Sequence, residues 1–137
     1  MKKIILTFMC CLMLSQVVWG AGITDEKCAN GGGRVVLGVN GKKYCLSNIE
    51  LNWWNAMIWC RANGMELINL SEDCDCPTDI CTTKCPNISG TTGWGGNWTQ
   101  VSRSADIAYV VPGHSSGNVG VLGKSQVISA WALCSIR

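Results

Sequence analysis

Four of the ten cysteines crowd into one short stretch, at Cys74, Cys76, Cys81 and Cys85. Thiols this dense could hold zinc as four thiolates, or close on one another as two disulfides. The C-x-C-x4-C-x3-C spacing is unlike the paired cysteines of common zinc sites, and an oxidising compartment favours disulfides. Two local bridges are therefore expected. Glu72, Asp73, Asp75 and Asp79 surround them. Several carboxylates invite calcium, but no EF-hand-like spacing is present, so a solvated, stapled loop is expected. His114 is the lone histidine. Ser115 and Ser116 adjoin it only in sequence, and no G-x-S-x-G frame supplies a nucleophile. The chain does not read as an enzyme. Trp94, Asn97 and Trp98, with Asn87 behind them, lie among glycines. Aromatics and amides on such a loop suit sugar stacking or a protein hot spot. The other role open to the two tryptophans is to plug the core beneath the loops.

Compartment decides how the cysteines behave. Lys2 and Lys3, the apolar run from Ile4 to Leu14 and the small pair Gly20-Ala21 form the basic, apolar and small order of a secretory signal peptide. Residues 1–21 are read as that signal and 22–137 as a single domain. Cys10 and Cys11 leave with the signal. The remaining cysteines, Cys28, Cys45, Cys60, Cys74, Cys76, Cys81, Cys85 and Cys134, are even in number, as a disulfide framework requires. Losing Lys2 and Lys3 from the 11 basic residues also balances the nine acidic ones. A neutral domain has no basic footprint for nucleic acid, and no membrane insertion is expected after signal cleavage. The expected location is secreted or cell-surface, periplasmic or extracellular in a bacterium.

The elements that must position these residues follow from local pattern. Arg34 to Val39 is β-branched and reads as a strand. Asn40-Gly41 predicts a two-residue type I′ turn, with Lys42 to Leu46 returning. Ser47 and Glu50 have capping-box spacing and predict a helix from about Asn48 to Ala62. Ile49, Trp53, Ala56, Met57 and Cys60 form its apolar stripe. Gly64 follows as a left-handed cap. Met65 to Leu70 reads as a short buried strand. Ser71 to Thr99 reads as loops. Ile107 to Val111, Asn118 to Leu122 and Val127 to Cys134 read as strands. The expectation is an α+β domain with an N-terminal β-hairpin, one long amphipathic helix, a small antiparallel sheet and long stapled loops.

The helix and its exit resemble C-type lectin-like domains. That family spaces Trp, Ala, Cys, Gly and Leu at 0, 3, 7, 11 and 14, and Trp53, Ala56, Cys60, Gly64 and Leu67 match. Tyr44 stands where the family has a first-strand aromatic, and "ISAWALCSIR" resembles its closing strand. The resemblance implies a Cys60–Cys134 disulfide and a Cys28–Cys45 bridge across the hairpin. The family's calcium triplets, E-P-N or Q-P-D and a later W-N-D, are absent. Pro86-Asn87 and Gly96-Asn97-Trp98 are the nearest echoes, and neither supplies a carboxylate. No cofactor is expected. The implied function is an exported domain binding a protein or glycan ligand outside the cytoplasm through its long loops. The alternative is a structural or assembly subunit of a surface appendage, joined by edge pairing.

Overall fold

The computed structural model describes residues 25–74, 76, 85–88, 90, 95–113, 118–126 and 130–136. The expected signal peptide lies outside them. A short helix α1, Asp25–Asn30, leads into β1, Gly33–Leu37, which pairs antiparallel with β2, Lys43–Glu50. The turn between them is not the expected two-residue type. Gly38 N–H donates to the Lys42 carbonyl at 2.9 Å, and Gly41 N–H donates to the Gly38 carbonyl at 2.9 Å. The loop therefore spans Val39 to Gly41, with Gly41 at φ +78° as its left-handed residue. Asn40 acts through its side chain instead, accepting from Lys42 N–H at 3.0 Å.

β2 continues through residues expected to start the helix. Ser47 does not cap. Its hydroxyl donates to the Ile49 carbonyl at 2.7 Å and accepts from Ala132 N–H at 3.0 Å. Leu51 N–H donates to the Ala130 carbonyl at 2.9 Å, so residues 47–51 are tied to the closing strand β7, Ala130–Ser135. Tertiary pairing has overridden a local capping signal. Helix α2 starts later, at Trp53, and ends at Ala62. Asn52 is its cap, accepting from Asn55 N–H at 2.9 Å. The buried stripe shrinks to Trp53, Ala56 and Cys60, while Ile49 stands exposed in β2. The C-terminal end matches expectation. Gly64 takes φ +69°, Met65 N–H donates to the Cys60 carbonyl and Gly64 N–H to that of Arg61. This is a Schellman closure.

β3, Glu66–Leu67, is followed by a single bridge from Ile68 to Thr99 and by a four-residue helix α3, Leu70–Asp73. A 3₁₀ turn covers Pro86–Ile88. Then come β4, Gly96–Ser102, β5, Ile107–Pro112, and β6, Gly120–Gly123. All seven strands join one sheet in the order β1-β2-β7-β4-β5-β6, with β3 also on β7. The β4–β7 pairing is parallel and the other ladders are antiparallel.

The expected fold class is thus corrected. The described residues are mostly mixed sheet with three short helices, not a long amphipathic helix beside a small antiparallel sheet. Two segments account for the change. Residues 48–50, expected as the start of the helix, extend β2. Residues 96–99, expected as loop, open a central strand.

The sheet is buried on both faces by alternating side chains. Ala108 and Val110 of β5 face the α2 side, and Tyr109 and Val111 face the other. On the α2 side, Ala108, Ala130 and Ala132 are fully buried with Trp53 and Trp98. Small strand residues make room for two indoles, which is how a close-packed layer accommodates so much aromatic volume. The opposite face packs Tyr44, Leu46, Ile68, Leu70, Ile88 and Leu133.

Candidate functional site

The disulfides fix the frame. Cys28 bonds Cys45, and Cys60 on α2 bonds Cys134 on β7. These are the two pairs that the resemblance implied. Cys74 bonds Cys85, and Cys76 is disulfide-bonded as well. Cys81 lies outside the described residues. With Cys74, Cys76 and Cys85 oxidised, the cluster does not offer four thiolates to zinc. Asp73 is fully buried at the base of this stapled segment. One of its oxygens takes the Lys42 ammonium at 2.5 Å and the Tyr44 hydroxyl at 3.3 Å, and the other accepts from Asn69 N–H at 2.7 Å. Asp73 therefore latches the loop to the hairpin, with both carboxylate oxygens engaged by groups of the protein itself. Glu72 is exposed, and Asp75 and Asp79 lie outside the described residues. So do His114, Ser115 and Ser116. No helix of the described residues is long and apolar enough to cross a membrane.

Of the four expected contact residues, Trp94 lies outside the described residues. Asn87 sits half-buried in the 3₁₀ turn, and its carbonyl accepts from Val39 N–H at 2.9 Å. Asn97 and Trp98 are both 0% exposed in β4. Asn97 Nδ2 donates to the Val111 carbonyl at 3.2 Å, and Trp98 Nε1 to that of Leu51 at 2.7 Å. Trp98 takes the second of the two roles open to it, that of core. Neither side chain has surface to give a ligand in this arrangement.

The aromatic surface lies instead at the start of α2. Trp54 is 52% exposed, and Ile58, one turn on, is exposed beside it. The Trp54 ring is not loose. It meets the buried Trp53 ring edge-on, with centroids 4.6 Å apart at 79°. Lys124, on the turn after β6, completes the group. Its ammonium lies 4.3 Å from the Trp53 ring centroid and 5.1 Å from that of Trp54. Its backbone is pinned on both sides. Lys124 N–H donates to the Asp106 carbonyl at 2.8 Å, and its carbonyl accepts from Trp53 N–H at 3.0 Å. Trp53 is anchored further by its own Nε1, which donates to the Thr99 carbonyl at 2.8 Å. The indole N–H of Trp54, in contrast, has no acceptor among the described residues.

This arrangement combines an open aromatic face with a rigid backing and a cation beneath it. Aromatic faces attract cations and stack on the apolar faces of rings. A surface cleft of about 310 Å³ lies elsewhere on α2, lined by Arg61, Gly64, Met65 and Glu66. It has a guanidinium and a carboxylate but no aromatic face.

The chain matches no family model and no curated protein.

The apolar stripe expected from the sequence leaves Trp54 out. Its helical phase relative to Trp53 was the available signal, since adjacent helical positions point about 100° apart. Lys124 carried no such signal. Its place depends on the β6–β7 turn meeting the helix start.

Proposed function

We propose that this chain is an exported, disulfide-bonded binding domain for a protein or a glycan, without catalytic activity and without a required cofactor. The observation that carries the reading is Trp54. A half-exposed indole is held edge-on by Trp53 on a support locked by the Cys60–Cys134 bridge. Large apolar surface that a monomer leaves open and rigid is characteristic of recognition sites. Three disulfides of known pairing favour a secreted or cell-surface location. The two bridges implied by the resemblance to C-type lectin-like domains support the same class of function. Asn87 and Trp94 remain proposed contacts from the loop half. Asn97 and Trp98 do not, because burial removes them from the surface.

The alternative reading, an assembly subunit, draws on β1 and β6, the outer strands of the sheet among the described residues. Size measurement on the oxidised protein separates the two: a stable monomer favours the binding domain, and edge-paired polymers favour assembly. The direct test is binding of the wild-type and Trp54→Ala proteins to glycan and protein arrays, with and without chelator. Retained binding by Trp54→Ala would remove this patch from the site. Binding lost with chelator would bring calcium back in.

A further inference from the structure

We propose that Lys124 and the exposed part of Trp54 form a subsite for a carboxylated sugar, a uronic or sialic acid residue of a glycan. The proposal rests on reading Trp54 as a ligand face and adds the charge that the ligand must carry.

Lys124 is the reason. It is 5% exposed, yet no carboxylate and no carbonyl among the described residues accepts from its ammonium. Its partners are two indole rings, at 4.3 and 5.1 Å from their centroids. Lysines this buried are almost always paired. A cation–π contact offsets part of the lost hydration but satisfies none of the three N–H donors. The nitrogen is not among the polar atoms sealed away from solvent. It therefore keeps some contact with solvent, with donor capacity unused among the described residues. The Trp54 indole N–H likewise has no acceptor among the described residues.

A ligand that matches this set has a flat apolar face for the indole and an anionic group for the ammonium. A pyranose presents C–H groups on one face, and a carboxylate on its ring supplies the anion. One compact ammonium suits a carboxylate better than a phosphate or sulfate, whose oxygens call for several converging donors or a guanidinium fork. Neutral sugars would stack on Trp54 but leave Lys124 unanswered. Its position explains the selectivity expected, because a charge-assisted hydrogen bond to a largely buried donor discriminates more than one to a fully hydrated ammonium.

The experiment is an NMR titration of the intact, oxidised protein with methyl glycosides of glucuronic acid and N-acetylneuraminic acid, and with methyl glucoside as the neutral control. At least one acidic sugar should bind about tenfold or more tightly than the neutral one, the ratio that one charged hydrogen bond gives. Lys124→Met should erase that preference while leaving the weak neutral binding within about twofold, the margin of an unaffected stacking contact. Trp54→Ala should lose both. Should Lys124→Met fail to fold, salt titration of the wild type replaces it: added salt should weaken acidic-sugar binding and spare the neutral sugar. Equal affinity of the wild type for acidic and neutral sugars, or no acidic sugar bound, overturns the subsite and leaves the reading of Trp54 standing. Unchanged sugar binding by Trp54→Ala overturns that reading too.

Discussion

Trp98 and Trp54 carry the same side chain into opposite environments. Trp98 stands in β4 at 0% exposure, shares a core with Ala108, Ala130 and Ala132, and gives its N–H to the Leu51 carbonyl. Trp54 stands on α2 at 52% exposure, leans on one ring and one ammonium, and its N–H has no acceptor among the described residues. Trp98 follows a glycine-rich stretch that ends at Gly96, whereas Trp54 sits in a helix among apolar residues. The surroundings in sequence thus point the wrong way in both cases. What decides exposure is the partner surface. Alanines on β5 and β7 leave a recess that only a large ring fills, whereas the ring of Trp54 is left half-exposed.

The comparison is broken most severely through the bridge that both regions share. Replacing Cys60 and Cys134 by Ala removes a closure spanning 74 residues. In the chain-entropy picture it should cost about 4.5 kcal/mol, measured by urea unfolding. Trp98→Ala should follow at about 4 kcal/mol, since it empties a core recess and orphans the Leu51 carbonyl. Asn97→Ala should cost about 1–2 kcal/mol by leaving the buried Val111 carbonyl without its donor, again read from denaturant midpoints. Trp54→Ala should move stability least, within about 0.5 kcal/mol, while removing ligand binding. A large unfolding shift for Trp54→Ala would erase the contrast. A small one for Trp98→Ala would do the same from the other side.

Much of the frame was legible in residue order. The β1–β2 hairpin, the Gly64 helix closure and strand β5 rest on local rules, and their residues obey them. The turn type was not, because Asn40-Gly41 serves a three-residue loop as readily as a two-residue one, and the choice belongs to strand register. The Ser47–Glu50 pair satisfied a helix signal that pairing with β7 outcompeted. β4 was hidden because Gly96-Asn97 opens it, and a buried Asn97 is tolerable only once the Val111 carbonyl lies alongside. The site suffered more than the fold. Trp54, Trp53 and Lys124 are brought together by a backbone bond between residues 53 and 124, a contact no spacing rule encodes.

The position of β7 has an effect on how the molecule comes into being. Remove Ala130–Ser135 and the ladder divides into β1–β2 on one side and β4–β5–β6 on the other, with no direct strand pairing between the halves among the described residues. The sheet's middle rung is also the last in chain order. A growing or translocating polypeptide must hold two incomplete halves apart until residue 130 arrives, and only then can Cys134 reach Cys60. Assembly is thus gated by the arrival of a few late residues, a long-range closure of the kind that slows folding and leaves strand edges open in the interval.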